Sequence, residues 1–295
     1  MVTSPYPESI RVFDRKLLQA KRGTLSKTFE KHDFLFKHCS NDISERLKDI
    51  NRTFNTALQI GSRSADIQAH PKINTLVTLD LGKNPVISDN VPYIQADEEF
   101  LPIKPESLDL ALSILNMHNV NDLPGSLVQI RQALKPDGLF MACLFGGESL
   151  LELRQSLMHT EIEVLGGASP RVFPFIDKMQ MGDLMQRAGF ALPVIDSEII
   201  KVSYNSMFDL IKDIRGMGEH NIINKRNKTY TGKSFFMKAA QYYQDHFPAP
   251  DQKIEATFEI IYAAGWSPHD SQQKPLQPGS AEYSLEEALN NPNKR

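Results

Sequence analysis

Three residues of types that suit ligand binding stand at the ends of predicted strands. Gly61 follows the apolar run 56–60, and glycine at such a turn lets the backbone approach a ligand closely. Asp80 ends the next run, nineteen residues later, where a carboxylate can accept both hydroxyls of a ribose. Asp97 follows the third run, where it or a neighbouring amide can meet an adenine amino group. The pattern predicts a nucleoside site; the alternative is an ordinary strand-end glycine with a capping aspartate.

The loop that contains Gly61 lacks the motifs of phosphate-rich ligands. The stretch LQIGSRSAD has neither a full G-x-G-x-x-G nor G-x-x-x-x-G-K-[ST], so a dinucleotide or a nucleoside triphosphate loses its phosphate cradle. A nucleoside without a pyrophosphate remains. S-adenosylmethionine is the obvious candidate cofactor, because it needs ribose and adenine contacts but no cradle for phosphates.

The residues after the fourth apolar run are candidates for the chemical step. His118 lies in NMHNVND, between Asn116 and Asn119, at a strand end where a sheet of this kind faces its substrate. Methyl transfer to a carboxylate or an amine needs positioning, desolvation and at most one base. We therefore predict that His118 is catalytic and that both asparagines face the substrate; a polar loop is the alternative.

Two loops bent by glycine and proline carry further polar residues. Arg171 lies in GGASPRVFPF, and Arg215 lies in IRGMGEHN together with Glu219 and His220. Such loops indicate a surface for a substrate or a partner, so Arg171 and Arg215 are predicted to face the substrate. The alternatives are loops that only turn the chain and an i,i+4 helix pair between Arg215 and Glu219.

The sequence offers little for a metal site. A non-haem iron site with open positions on the metal would need two histidines and one carboxylate. The only H-x-D/E match is His159-Thr160-Glu161, inside a predicted helix over 148–167, and residues two apart on a helix do not face each other. We predict no metal.

Apolar runs must position these residues. Five runs predict strands: 56–60, 74–80, 91–97, 107–115 and 138–145. Predicted helices between them include 122–135, which Pro136-Asp137-Gly138 should end. Continuous apolar strands that alternate with helices indicate a mostly parallel sheet covered on both faces. The predicted fold is a doubly wound α/β domain.

The predicted segments of the chain are an N-terminal helical segment, 1–50; the α/β domain, 51–204; a helical insertion, 205–250; a final strand, 251–266; and a loosely ordered polar tail, 267–295. Alternation over 253–262 predicts a half-exposed antiparallel strand at or near an edge.

The first segment is basic through Arg11, Arg15, Lys16, Lys21 and Arg22. We expect a solvated helix face there; contact with an anionic ligand or partner is the alternative.

Composition narrows the classes of protein. With 295 residues, 41% hydrophobic and 23% charged, the chain is long and apolar enough for a sizeable core. A net charge of −3 gives no support for a nucleic acid partner. Two cysteines suit a reducing compartment, and no apolar run approaches the length of a membrane span. We expect a bacterial cytoplasmic protein, or a mitochondrial matrix protein if this is a mature organellar form.

Several strings resemble one known family. Gly61, Asp80, Asp97 and the turn LKPDG together look like the class I methyltransferase fold. Longer strings resemble the methyltransferase-like family of the complex I assembly factor that hydroxylates an arginine, with its alphaproteobacterial relatives. These strings are FDRKLLQAKR (13–22), NDLPGSL (121–127), LKPDGLFMACLFGGESLLELR (134–154), GGASPRVFPFID (166–177), RAGFALPVID (187–196), IRGMGEHN (214–221) and GWSPHDSQQKPLQPGSA (265–281).

The resemblance implies a methyltransferase-like enzyme that binds S-adenosylmethionine and modifies an arginine of an NADH dehydrogenase subunit during assembly. It implies a protein substrate and allows peripheral association with a membrane complex. The family also resembles the malonyl-carrier-protein methyltransferase of biotin synthesis, so O-methylation of a small acid or an acyl-carrier thioester is an alternative. An assembly chaperone without catalysis is another.

The cofactor loop departs from the usual methyltransferase pattern, which is an acidic residue followed by glycines at three alternate positions. Gln59 replaces the acidic residue, Gly61 is kept, and Arg63 and Ala65 stand where the later glycines would be. Gln59 can form hydrogen bonds but cannot pair with an ammonium group as a carboxylate does. The predicted cofactor-binding residues are Gln59, Gly61, Arg63, Asp80 and Asp97.

Overall fold

One eight-stranded sheet organises the chain in this computed structural model. The structure describes residues 11–25, 29–61, 63, 67, 70–83, 91–273 and 279–280. The strands are β1 (Phe54–Ile60), β2 (Ile73–Asp80), β3 (Tyr93–Gln95), β4 (Leu108–Ile114), β5 (Leu134–Phe145), β6 (Ala191–Tyr204), β7 (Pro248–Ala249) and β8 (Lys253–Trp266). Their order is β3-β2-β1-β4-β5-β8-β6, and β7 pairs with β8.

The first five strands are parallel, and the last long strand reverses direction. β1 pairs with β2 and β4 in parallel register, and β4 pairs with β5 in the same way. β8 lies between β5 and β6 and is antiparallel to both. A parallel sheet needs crossover segments on its faces, as the alternating pattern predicted. The predicted doubly wound, mostly parallel fold is confirmed.

Seven α-helices accompany the sheet in the described residues. They are α1 (Arg15–Arg22), α2 (Phe34–Asp49), α3 (Leu123–Ala133), α4 (Leu151–Leu165), α5 (Lys178–Arg187), α6 (Met207–Met217) and α7 (Lys233–His246). Gly166 closes α4 in the left-handed conformation, and Asp177 begins α5 with a capping box. None of the described helices is long and apolar enough to cross a membrane.

Each face of the sheet has its own core. One cluster packs α2, α6 and α7 against strand residues such as Ala57 and Leu112. The other packs α3 and α5 against the alternate residues, such as Leu58 and Ala111. Successive side chains of a strand point to opposite faces, so both sets of alternating residues are buried. This covering leaves the carboxyl ends of the strands as the open edge of the domain.

The structure corrects two details of the predicted elements. The helix expected over 122–135 ends at Ala133, because Leu134 already pairs with Leu108 at the start of β5. The prediction that 253–262 is half exposed is wrong, since Thr257 and Glu259 on its polar side are buried. Of the predicted polar tail, most residues lie outside the described ranges, and the division of the chain into segments stays a prediction.

Interactions with the start of α4 explain the burial of the polar side of β8. The carboxylate of Glu259 accepts a hydrogen bond from the backbone N–H of Glu148, at 2.9 Å. The backbone N–H of Thr257 donates to the carboxylate of Glu152, at 3.1 Å. Polar side chains can be buried where they form such hydrogen bonds. The alternation of polar and apolar residues therefore did not predict the exposure of this strand correctly.

Candidate functional site

The predicted strand-end residues meet at one edge of the sheet. Gly61 directly follows β1, Asp80 is the last residue of β2, and Asp97 comes two residues after β3. Asn116 comes two residues after β4. Because these four strands are adjacent and parallel, their carboxyl ends form one crevice, the usual ligand-binding edge of a doubly wound sheet.

Gly61 lies against Asn116, and only glycine fits there. Its φ is +87°, and a Cβ atom at this position would lie 2.7 Å from the Cβ of Asn116. Gln59, fully buried beneath it, donates a hydrogen bond from Nε2 to the carbonyl oxygen of Gly61, at 3.2 Å. Glycine at this position therefore allows the end of β4 to pack directly against the turn after β1.

Asp80 is buried, and its carboxylate faces a guanidinium. Its Oδ1 atom accepts a hydrogen bond from the backbone N–H of Gly82, at 2.7 Å, and lies 3.4 Å from Nη1 of Arg22. Nη2 of Arg22 donates to Oδ1 of Asn116, at 2.5 Å. The guanidinium of Arg22, which is 3% exposed, thus bridges the ends of β2 and β4.

A second arginine of α1 binds the residues that follow β3. Arg15 lies 2.7 Å from Asp97, 2.7 Å from Glu98 and 3.5 Å from Glu99. Burial by itself would raise the pKa of Glu98, but the charges of Arg15 and Arg22 lower it to about 2. Glu98 is therefore ionised at neutral pH.

The expectation of a solvated basic face on the first helix is wrong for Arg15 and Arg22. The two residues are seven positions apart, so they project from the same side of α1. That side lies against the carboxylates of the crevice, and Gln19 adds a hydrogen bond to the carbonyl oxygen of Leu81, at 3.1 Å. The basic face of α1 neutralises buried carboxylates of the same chain.

His118 is held by a carboxylate that reaches it from beyond α6. Nε2 of His118 lies 3.0 Å from Oε2 of Glu219, and Nη1 of Arg63 donates to Oε1 of the same residue, at 2.6 Å. Phe145 and Phe175 flank the imidazole, with ring centroids 4.9 and 6.0 Å away. The side chain of His118 is 1% exposed.

These contacts set the protonation of His118. Burial raises the pKa of Glu219, but the charges around it, among them Arg63, lower it well below its usual range, so Glu219 is ionised. Burial lowers the pKa of His118 and outweighs the opposing charge of Glu219, so the imidazole is neutral at pH 7. Because an ionised carboxylate only accepts, Nε2 carries the proton and Nδ1 keeps a lone pair. Among the described residues, Nδ1 has no hydrogen-bond partner.

The contacts of Arg63 in this structure are all with other parts of the protein. Its guanidinium donates to the carbonyl oxygens of Leu115 and Met217 as well as to Glu219, and it lies 4.8 Å from the ring centroid of Phe36. These contacts tie the loop after β1 to the end of α6. A role for Arg63 in cofactor binding stays a prediction, and Ala65 lies outside the described residues.

The other predicted substrate-facing residues divide into two groups. Asn116 and Asn119 are fully buried at the crevice, and Oδ1 of Asn119 has no partner among the described residues. Arg171 pairs with Glu161 at 2.9 Å, and Arg215 is exposed on α6. The alternative helix pair between Arg215 and Glu219 is wrong, because Glu219 binds Arg63 and His118.

Five charged residues of the crevice were missed as site residues: Arg15, Arg22, Glu98, Glu99 and Glu219. The seven-residue spacing of Arg15 and Arg22 was a usable signal, since it places both on one side of a helix. The two glutamates that directly follow Asp97, Glu98 and Glu99, were a second usable signal. Glu219 stood in a string that was singled out, but nothing local linked it to His118.

The described residues give no metal-binding cluster of three or more histidine, cysteine, aspartate or glutamate side chains. His159 stacks on Tyr242 with ring centroids 4.1 Å apart. Glu161 instead accepts hydrogen bonds from Ser169 and Arg171. The two residues of the H-x-E match therefore have separate partners.

The crevice fits a nucleoside cofactor in three respects. Gly61 allows the left-handed turn after β1 and the close packing of Asn116, Asp80 offers a buried carboxylate for ribose hydroxyls, and Asp97 lies at the neighbouring strand end. Oδ1 of Asp80 already lies 3.4 Å from Nη1 of Arg22, so a ribose hydroxyl bound to this oxygen would compete with the guanidinium of α1.

Comparisons with known proteins agree with this geometry. A family model described as "Methyltransferase domain" matches residues 52–142. The chain is 37% identical to "Arginine-hydroxylase NDUFAF5, mitochondrial" of Danio rerio, over 94% of this chain and 89% of that protein. The human protein of the same name is also 37% identical, over 96% and 85%. A malonyl-[acyl-carrier protein] O-methyltransferase of Nitrosospira multiformis is 32% identical, over 68% and 64%.

Solved structures show the same fold at low identity. The YcgJ protein of a Bacillus has a TM-score of 0.55 at 15% identity, covering 79% of this chain and 99% of that one. Phosphoethanolamine N-methyltransferase 2 of Haemonchus contortus, in complex with S-adenosyl-L-methionine, has a TM-score of 0.51 at 13% identity, covering 90% and 62%. The fold is that of class I methyltransferases.

Proposed function

Because the chain belongs to the family of the arginine-hydroxylase NDUFAF5 proteins, we propose that it is a methyltransferase-like enzyme that binds S-adenosylmethionine and modifies an arginine of a protein partner. The partner that the family implies is a subunit of NADH dehydrogenase, modified during assembly of complex I. Identity over nearly the whole chain supports the family assignment, including the strings of the C-terminal third.

The observation that carries the cofactor proposal is the meeting of Gly61 and Asp80 at the carboxyl ends of β1 and β2. Gly61, Asp80 and Asp97 would hold the nucleoside part. When bound, S-adenosylmethionine supplies an electrophilic methyl group. The rest of the site is built from residues of this chain that bind, orient and desolvate the acceptor.

His118 is the candidate base. Glu219 accepts a hydrogen bond from Nε2–H of His118 and so fixes the orientation of the imidazole. The lone pair on Nδ1 is buried and has no partner among the described residues. Phe145 and Phe175 exclude water from the ring. The proposed role of Nδ1 is to take a proton from a substrate nitrogen; Asn119 lies at the other nitrogen of the ring, with its Nδ2 atom 3.1 Å from Nε2. The proposed roles of the two asparagines are to orient the substrate.

A second candidate is O-methylation of an acyl-carrier thioester, since a malonyl-[acyl-carrier protein] O-methyltransferase is among the relatives. An acidic carrier would need a basic docking face, for which the start of the chain was the candidate. Arg15 and Arg22 are buried in ion pairs of this chain, which leaves Arg11, Lys16 and Lys21 for such a face. The higher identity to the arginine-hydroxylase proteins, over nearly the whole chain, favours the protein-arginine proposal.

A third candidate is a chaperone that acts by binding alone. The replacements at Gln59, Arg63 and Ala65 favour it, since none of these residues is the one usual in a methyltransferase loop. Affinity for the cofactor and turnover separate it from the other two. The compartment also stays a prediction: the arginine-hydroxylase relatives are named as mitochondrial proteins, and a bacterial form would act in the cytoplasm.

Calorimetric titration with S-adenosylmethionine and S-adenosylhomocysteine tests the cofactor site. We expect micromolar binding, weakened by about 1.5–3 kcal/mol in Asp80→Ala, the scale of hydrogen bonds to a charged group. Asp183→Ala, on the exposed side of α5, is the matched control and should bind normally. Failure of the folded protein to bind millimolar ligand would replace the enzyme proposal with the chaperone. If the protein binds the cofactor, the reaction product can be identified. Mass spectrometry of arginine peptides from NADH dehydrogenase subunits, incubated with the enzyme, would distinguish a methyl from a hydroxyl product.

A further inference from the structure

A cavity of about 380 Å³ lies beside the crevice, on the side of β5. Arg154, Leu157 and Met158 line it from α4, and the segment 168–174 forms the opposite wall. The carboxyl end of β5 leads directly into the loop before α4, so the cavity belongs to the same edge of the sheet as the crevice. Arg171, predicted from the sequence to face the substrate, also lines it, but no role has been assigned to Arg154.

Arg154 brings an uncompensated positive charge to this cavity. Its Nη2 atom donates to the carbonyl oxygens of Gly147 and Ser149, both at 3.1 Å, and its Nε atom has no partner among the described residues. No described carboxylate lies within ion-pair distance of it, and burial lowers its pKa without an opposing charge. A half-buried guanidinium of this kind gains most from a carboxylate supplied from outside.

Arg171, the other arginine of the cavity, differs in this respect. Glu161 neutralises it at 2.9 Å, and its guanidinium lies 4.5 Å from the ring centroid of Phe235. Among the described residues, Arg154 is therefore the one positive charge of the cavity that lacks a carboxylate partner. That difference identifies which arginine would recognise an acidic group.

An exposed apolar stripe runs along α4 from the rim of the cavity. Met158, Ile162 and Leu165 are 48%, 56% and 52% exposed, and Leu151 is 39% exposed. Their spacing places all four on one side of the helix, opposite the buried Leu153. Exposed apolar side chains that are continuous with a cavity indicate a surface for a partner.

Aromatic rings connect the cavity with the candidate base. Phe173, which lines the cavity, lies 5.8 Å from Phe175 between ring centroids, and Phe175 lies 6.0 Å from His118. The rings of Phe173 and Phe175 would thus separate a segment bound in the cavity from the imidazole. The cavity is therefore connected with the candidate base through two packed rings.

We propose that the cavity and the stripe of α4 bind a segment of the protein substrate in which an acidic side chain is flanked by apolar ones. The carboxylate pairs with Arg154, and the flanking side chains cover Met158 and Ile162. Charge complementarity selects this occupant, because an apolar segment alone would leave the guanidinium buried and without a counter-ion. The assignment of the occupant to the substrate rests on the proposed function; the recognition of an acidic, apolar segment does not.

Two blocked peptides test the recognition, acetyl-Ala-Leu-Glu-Leu-Ala-amide and the same peptide with glutamine at its centre. NMR titration without any cofactor gives their dissociation constants and follows the Nε–H signal of Arg154. We expect the glutamate peptide to bind about tenfold more tightly, since one charge-assisted pair distinguishes it from the glutamine peptide. Because no cofactor is present, failure to bind S-adenosylmethionine would not alter this result.

Variants locate the effect. In Arg154→Met the preference for glutamate should fall below twofold, and in Arg187→Met, an exposed basic residue of α5, it should remain. Met158→Glu is the second variant, since it places a carboxylate one helical turn from Arg154 on an exposed position. It should abolish the preference, while Met158→Gln should keep it.

Three results would overturn the proposal. One is equal binding of both peptides to the natural protein. Another is a preference for glutamate that survives both Arg154→Met and Met158→Glu. The third is a dimer in sedimentation experiments that Met158→Glu dissociates, because a second copy of the chain would then be what covers the stripe.

Discussion

Oε2 of Glu219 lies 3.0 Å from Nε2 of His118, although the two residues are 101 positions apart in the chain. His118 follows β4, whereas Glu219 follows α6, so this contact joins the helical part after β6 to the carboxyl end of the sheet. Arg63, in the loop after β1, forms an ion pair with the same glutamate, at 2.6 Å. The orientation of the candidate base therefore depends on three distant parts of the chain.

The first prediction concerns Glu219→Gln. Glu219 opposes the effect of burial on the imidazole, so its removal should lower the pKa of His118 further below the ordinary value. NMR titration of the histidine signals measures this. Glu163→Gln, at an exposed residue of α4, is the control. An increase in the pKa of His118, or no change, would mean that Glu219 does not determine its charge.

The second prediction concerns Arg22→Met. Arg22 and a ribose compete for the carboxylate of Asp80, so the variant should bind adenosine about tenfold more tightly, the scale of one hydrogen bond to a charged group. Calorimetry with adenosine avoids any contribution from a methionine moiety. Lys16→Met, on the exposed side of the same helix, should behave as the natural protein. Weaker binding by Arg22→Met would show that Arg22 holds the nucleoside instead of competing with it.

The third prediction separates backbone strain from steric conflict at Gly61. In Gly61→Ala a methyl group would meet Asn116 at 2.7 Å in a backbone with φ of +87°, and we expect a loss of about 3 kcal/mol of unfolding free energy. Gly166→Ala has a φ of +68° with nothing within 4 Å, so it should lose about 1 kcal/mol. Urea denaturation measures both. Equal losses would remove the close approach to Asn116 from the argument.

The fourth prediction is the acid sensitivity caused by Glu98. Its pKa is about 2 in the folded protein and near 4.5 when unfolded, so the stability it contributes is present above about pH 4.5. That contribution, about 3 kcal/mol, is lost as the pH falls from about 4.5 to 2. Glu98→Gln should be less stable at pH 7 and should lose less stability over that interval. Parallel pH profiles of unfolding free energy for the two proteins would contradict this.

The sequence predicted the strand ends well and the charges around them poorly. Gly61, Asp80 and Asp97 could be placed because they directly follow apolar runs, and parallel strands bring their ends together. Arg15 and Arg22 were expected in solvent, because a basic helix face looks the same whether water or buried carboxylates cover it. Only the register of α1 against Asp80 and Glu98 decides between the two.

Contacts between residues that are distant in the chain explain the other features that the sequence analysis did not predict. The pairing of Glu219 with His118 leaves no local pattern, so Glu219 could be noted only as a polar residue on a loop. The polar side of β8 was judged exposed because its partners, Glu152 and the backbone of Glu148, come from α4. Alternation describes the faces of a strand but not what covers them.

The position of β8 also has a consequence for the order in which the protein can be built. β8 lies between β5 and β6 and pairs with both, yet it is the last of these three strands to leave the ribosome. Until it emerges, the edges of β5 and β6 that it joins are open, and unpaired strand edges favour aggregation. The sheet is therefore completed only after the chain has been synthesised through Trp266. A nascent chain arrested before Trp266 should depend on chaperones more than the chain that contains β8 does.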